Sequence, residues 1–257
     1  MKRRRHDPVE RFSDLPGDRG EVLLQQRQPR FRGRAAPGTG EFLAGVSGNN
    51  EKSWFEANRP LYEQGYVAAG RAFVEAIGPE LRKISPGVGF EPKIGASMMR
   101  VNRDIRFTKD KRPYKDHLDL WFWHGENKGW AAPGFFLRLT PSMLWLGTGM
   151  HAIQGDQLTR FRHAIADDTS GAALVDAIET VRAAGPYVVG GKTRRQVPRG
   201  FDKDHERAEY FLYEALYAHY EAPAEVAYDP GFGAHAIEHF RSTWPIARWL
   251  LEHVATK

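Results

Sequence analysis

The pattern of apolar residues predicts an α+β domain: an antiparallel β-meander flanked by N-terminal and C-terminal helices. Three observations carry that expectation. Leu61, Tyr62, Val67, Ala68, Phe73, Val74, Ile77 and Leu81 recur at helical spacing. The middle of the chain switches to alternation, with four candidate strands joined by short links. Helical patterning then returns from Asp156 to the C-terminus.

Taken in order, residues 1–36 lack periodicity and are punctuated by Pro8, Pro16 and Pro29, so they read as a disordered basic tail. Residues 37–257 read as a single domain. Asn49 or Asn50 is placed to cap a helix over Glu51–Asn58, Pro60 suits the first turn of the next helix, and Pro86-Gly87 stops it. Met99, Val101, Ile105 and Phe107 share one parity and Arg100, Asn102, Asp104 and Arg106 the other, which predicts the first strand. Leu118–His124, Phe135–Leu139 and Leu144–Thr148 follow, the last two joined by a turn at Thr140-Pro-Ser-Met. Asp156–Ala166 and Ala172–Ala183 predict two amphipathic helices, with Thr169 or Ser170 capping the second. A small hairpin is expected around Gly190-Gly191, a helix over Asp204–Tyr220, and a last helix from Asp229-Pro230 to about Val254, bent at Pro245.

Composition narrows the function classes. A chain of 257 residues without cysteine excludes disulfides, thiol catalysis and thiolate metal sites. No apolar run approaches the roughly 18 residues of a membrane span, and Asp7, Glu10 and Asp14 follow the basic start where a signal peptide would turn apolar. A cytoplasmic protein is expected, with no membrane partner. The net charge of +5 is misleading as a clue to nucleic acid. Residues 1–34 hold ten basic and five acidic residues, which leaves 37 − 10 = 27 basic and 32 − 5 = 27 acidic residues in the remainder. A balanced domain argues against a nucleic-acid partner.

Chemistry concentrates between Arg100 and Lys115, where seven cations and two carboxylates occupy sixteen residues. As a strand, this segment would project Arg100, Asn102, Asp104 and Arg106 from one face about 6.6–6.8 Å apart, with Asp104 between two arginines. Thr108–Pro113 would then turn Lys111 and Tyr114 towards the same end. His117 and Asp119 alternate just beyond, either as a base with its orienting carboxylate or as polar residues facing water. Other motifs are weaker. His235-Ala-Ile-Glu-His239 has metal-ligand spacing but lacks a plausible third ligand downstream, so it reads as a solvent-facing helix edge. Gly147-Thr-Gly149 and Gly190-Gly191-Lys-Thr lack the rest of a phosphate-loop fingerprint. Leu120-Trp-Phe-Trp123 reads as sheet-face packing, and His205 as a helix cap or a neighbour of the cluster.

The central segment resembles a bacterial family of conserved hypothetical proteins whose signature is R-x-x-R-D-x-R-F-x-x-x-K-x-x-Y, matched here by Arg100, Arg103, Asp104, Arg106, Phe107, Lys111 and Tyr114. Asn49–Arg59, Pro133–Leu137, Leu158–Ile165 and Pro198–His205 are similar to it as well, so the resemblance spans roughly residues 31–257. It implies no activity, cofactor or metal, and it points to the residues to watch. The expected ligand is an anionic small molecule, bearing phosphate or carboxylate, bound by Arg100, Arg103, Arg106 and Lys111. Asp104 would orient the arginines, with Tyr114 and His117 as the polar groups nearby. The competing reading is a self-satisfied ion-pair network in a structural or protein-interaction domain.

Overall fold

Leu118–His124 is seven residues of alternating apolar and polar or aromatic character, buried along its whole length, and it starts the sheet that organises the protein. The structure, a computed structural model, describes residues 34–255 apart from residue 36 and residues 126–131. All of the described residues belong to one compact unit, Arg32–Lys257. The tail expected over residues 1–36 lies outside the described residues except for Arg34 and Ala35, and Ala35 N–H donates to the Ala227 carbonyl at 2.8 Å.

The helices before the sheet are α1 Pro37–Gly48, α2 Lys52–Ala57, the single turn α3 Arg59–Leu61, and α4 Ala69–Ile84. Between α3 and α4, Tyr62–Ala68 widens to a π-helix. Pro60 stands in the first turn of α3, as its locked φ favours. The cap of α2 differs from expectation. Glu51 occupies that position without a side-chain bond, and the Asn50 amide turns to Tyr114 instead.

Six strands form one antiparallel sheet in the order β1-β2-β3-β4-β6-β5. They are β1 Val88–Gly89, β2 Leu118–His124, β3 Gly134–Leu139, β4 Met143–Met150, β5 Val188–Lys192 and β6 Tyr213–Pro223. The turn at Thr140–Met143 joins β3 to β4, with the Thr140 hydroxyl accepting from the Met143 N–H at 2.9 Å. Helices α5 Gly155–Ala166, α6 Asp168–Ala184 and α7 Phe232–His253 follow the meander. The α6 cap is Asp167, whose carboxylate accepts from the N–H groups of Thr169 and Ser170, in place of either residue expected there.

Three expectations fail. The segment from Met99 to Phe107 is no regular strand; it meets the sheet at its start, through the Met98–Leu120 bridge and the Met99 N–H to the Asp119 carbonyl, and bridges within its own loop at Asn102–Tyr114. Its burial still alternates from Arg100 to Arg106, but the Asp104 carboxylate accepts the Arg106 N–H at 3.1 Å and bends the chain away from a ladder. The helix expected over Asp204–Tyr220 is instead a 3-10 turn at Ala208–Leu212 followed by β6, Tyr213–Pro223. The open edge of β4 supplies a register of eight residue pairs, and pairing overrides propensity. The expected hairpin at Gly190-Gly191 is the single strand β5, with a bulge between Gly190 and Lys192.

The two faces of the sheet differ in chemistry. One carries Leu120, Phe122, Phe135, Leu137, Leu146 and Thr148 and receives α7. There Phe135 stacks on Trp244 at 4.9 Å, and the Thr148 hydroxyl donates to the Thr243 carbonyl at 2.6 Å. The helices α5, α6 and α7 close a second apolar cluster with Phe161, Ile178, Phe211 and Trp249. The opposite face carries the site.

Candidate functional site

The expected cluster forms a closed loop. Its base is tied by Arg103 N–H to the Pro113 carbonyl at 2.9 Å and by Lys115 N–H to the Val101 carbonyl at 2.7 Å. Asn50 docks it from the helical side: its amide donates to the Tyr114 carbonyl at 3.0 Å and accepts the Tyr114 N–H at 2.9 Å. The Tyr114 ring is buried and stacks on Phe55 at 4.4 Å. Arg106 makes a two-pronged pair with Asp104, at 3.0 and 2.7 Å. Arg103 and Arg112 both meet Asp110, at 2.7 and 2.9 Å, and Lys111 donates to the Ile105 carbonyl at 2.9 Å. Those bonds hold the Asp104 and Asp110 carboxyls below the usual range, Asp104 through Arg106 and Asp110 through Arg112 and then Arg103. Arg100 is exposed, and Phe107 is 93 % exposed at the far end of the loop. The structure thus brings Arg103, Asp104, Arg106, Lys111 and Tyr114 into one loop, with their charges mostly in solvent.

His117 leads elsewhere. Its Nε2 lies 3.3 Å from Asp119 and its Nδ1 lies 3.1 Å from Asp116. Asp119 does not face water; it is 3 % exposed. It receives Arg138 in a fork, Nε at 2.6 Å and Nη2 at 3.0 Å, with Lys115 at 3.8 Å. Burial alone would raise the Asp119 carboxyl. Hydrogen bonds from His117 and Arg138 outweigh it and hold the group down at about 2.

Asp119 lies on the wall of a cavity of about 510 Å³ on the sheet face opposite α7. Antiparallel register assembles that face in rows. Asp119, Arg138, Trp145 and Glu221 form one row across β2, β3, β4 and β6. Trp121, Phe136, Gly147 and His219 form the next, and Trp123, Gly134, Gly149 and Tyr217 the third. Trp121, Trp123 and Phe136 pack with Ala96 and Met99 on this face, so the tryptophans serve packing as the sequence suggested. Glycines in these rows let β4 and β6 approach closely. A Cβ on Gly147 would stand 1.9 Å from the Ala218 carbonyl oxygen, and Gly149 has φ +142°.

Two further titratable groups on the cavity wall, Glu221 and His151, are shifted by their surroundings. His219 Nε2 donates to Glu221 at 2.7 Å, and the Trp145 indole N–H also donates to Glu221. The His219 bond leads the causes that keep the Glu221 carboxyl below its ordinary value. His151 sits against Phe136 and Tyr217, with ring centroids 4.7 Å away in each case. Burial, and then the charge of Arg138, push it down to about 4, so it is neutral at pH 7. Sequence reasoning missed Arg138, His151, His219 and Glu221. The signal was present as alternation, Tyr217-x-His219-x-Glu221 and Phe136-x-Arg138, and became readable only with β6 as a strand.

The other motifs resolve as structure. His235 and His239 are half-buried instead of lining a solvent-facing edge. Their Nε2 atoms lie 2.9 Å apart, His239 Nδ1 meets the Tyr187 hydroxyl at 2.9 Å, and Tyr220 stacks on His239 at 3.7 Å. His205 accepts the Arg207 N–H at 3.0 Å, inside its own turn. Among the described residues, no group of three or more His, Asp or Glu is placed to hold a metal ion, and no helix is long and apolar enough to cross a membrane.

A six-stranded antiparallel sheet with α7 on one face and a polar, aromatic-walled cavity on the other defines an α+β protein with a hollow of ligand size. The model of the conserved hypothetical protein family (DUF2461) matches residues 38–249, and the chain belongs to that family. The family is one of unknown function. No curated protein matches the chain.

Proposed function

We propose that the protein binds a small carboxylate-bearing molecule in the sheet cavity, with Arg138 as the anion partner. The observation that carries this reading is the Asp119–Arg138 fork. It occupies Nε and Nη2 of the guanidinium while the side chain remains 46 % exposed on the cavity wall. A planar cation anchored on one edge presents its remaining N–H groups in a fixed direction, which favours a carboxylate over a roaming ammonium. Phe136, Trp145 and Tyr217 supply apolar wall for the rest of the ligand, and His151, neutral at pH 7, lines the same wall. A cytoplasmic setting agrees with a chain free of cysteine.

A second reading places the anion on the Arg100–Lys115 loop. Arg106 is three-quarters exposed and its partner Asp104 is exposed too, so a guest anion displaces that pair at little cost. Calorimetric titration with benzoate, 3-phenylpropionate and inorganic phosphate separates the two. Arg138→Lys, which keeps the charge and loses the fork, is expected to weaken carboxylate binding at least about tenfold, equivalent to about 1.4 kcal/mol. Arg106→Ala is expected to leave it unchanged. The reverse pattern overturns the cavity reading in favour of the loop.

A further inference from the structure

We infer that the ligand of this cavity is a zwitterion of dipeptide length, its carboxylate on Arg138 and its ammonium on Glu221. The inference rests on the carboxylate reading above and adds the second charge. Arg138, Trp145 and Glu221 are consecutive members of one cross-strand row. Neighbouring strands lie about 4.8 Å apart, so the backbones of Arg138 and Glu221 are about 10 Å apart with the indole between them. Two extended residues span about 7 Å at most. A dipeptide laid across Trp145, with a charge-assisted hydrogen bond of about 2.8 Å at each end, covers the remaining distance between the two charged side chains.

Both ends are held ready. Asp119 fixes Arg138 from the side away from Trp145, leaving the Nη1 hydrogens for a ligand. Glu221 is 45 % exposed and accepts from His219 and from Trp145, and a carboxylate has about four lone-pair positions, so capacity remains for an ammonium. Charge balance favours the zwitterion over a plain anion. Among the Asp, Glu, Lys and Arg side chains that line the cavity, Asp119 pairs with Arg138 and Glu221 has no Lys or Arg partner, so a lone carboxylate would face the Glu221 charge across Trp145. The ammonium removes that conflict. Between the ends, Trp145, Phe136 and Tyr217 offer aromatic surface to the middle of the ligand.

The test uses the full chain in calorimetric titrations with glycyl-phenylalanine and alanyl-alanine, each in three forms: free, N-acetylated, and C-terminally amidated. The free dipeptide is expected to bind at least about tenfold more tightly than either blocked form, a difference of about 1.4 kcal/mol. Glu221→Gln, an exposed isosteric change checked by an unaltered thermal midpoint, is expected to abolish the preference for the free over the N-acetylated form. It should leave the dependence on the carboxylate in place. An N-acetylated form that binds wild-type protein as tightly as the free dipeptide overturns the ammonium subsite and leaves the carboxylate site standing. Discrimination that survives Glu221→Gln overturns it as well. An amidated form that binds as well as the free dipeptide, or no binding by any carboxylate form, overturns both readings.

Discussion

The Arg100–Lys115 loop and the sheet cavity treat charge in opposite ways. The loop gathers seven cations and two carboxylates from one continuous stretch, pairs them locally, and leaves the pairs in water. The cavity draws two carboxylates, one guanidinium and two imidazoles from β2, β3, β6 and the residue that follows β4, and places them against aromatic rings. Exposed pairs are screened and contribute little, whereas a buried carboxylate is costly to leave without its partner. Density of charge along the sequence therefore marks a well-knit surface loop here. The cavity groups are few, and strand register brings them together across the sheet.

The largest test of this contrast removes a guanidinium from each region. Arg138→Ala leaves Asp119 buried with only His117 and Lys115 nearby, and is expected to cost about 3 kcal/mol in urea unfolding. Arg106→Ala should leave the midpoint where it is. Equal losses from the two variants would erase the distinction between the regions.

Acid sharpens the same comparison. The His151 imidazole binds a proton near pH 6.5 when unfolded and only near 4 in the folded cavity, because burial and then Arg138 oppose the charge. Between those values the unfolded chain holds more protons, so stability falls as pH drops from about 6.5 to about 4, by at most on the order of 3 kcal/mol. His239, also lowered to about 4, acts in the same direction. His151→Phe is expected to flatten part of the pH–stability curve in that window. The exposed carboxylates of the loop, Asp104 and Asp110, have lowered pKa values and contribute only at more acid pH. An unchanged slope would mean that His151 is solvated in the native protein.

A smaller effect is expected where β4 and β6 approach closely. Gly147→Ala sets a methyl group against the backbone of β6, and the strand pair must shift, at a cost of about 2 kcal/mol. Far-ultraviolet circular dichroism during thermal unfolding would measure it. Wild-type stability would show that β4 and β6 separate there with ease.

Much of the fold was legible because periodicity survives folding. β2 was placed residue for residue, β3 and β4 to within two residues, and α5 and α7 nearly so. The losses have a common physical origin in partners distant along the chain. Tyr213–Pro223 has helix-forming composition and becomes a strand because β4 has an unpaired edge. The Arg100–Phe107 alternation is real in burial, yet Asp104 bonds to the backbone two residues on and no ladder forms. The expected anion-binding residues are neighbours in sequence, and of them His117 leads to the cavity, through Asp119. His151, His219 and Glu221 stand 32, 100 and 102 residues beyond Asp119, and no local pattern could relate them.

The Asn50 amide exchanges two hydrogen bonds with Tyr114 across 64 residues of chain, as a neighbouring strand would. That couples the order of events as well as the geometry. The Tyr114 N–H keeps this partner while Asn50 is held between α1 and α2, so partial unfolding that frees those helices should release Tyr114 with them and leave β2, β3 and β4 paired. Hydrogen exchange at the Tyr114 amide then becomes a clock for opening at the N-terminal helices, running faster than exchange in the middle of the sheet.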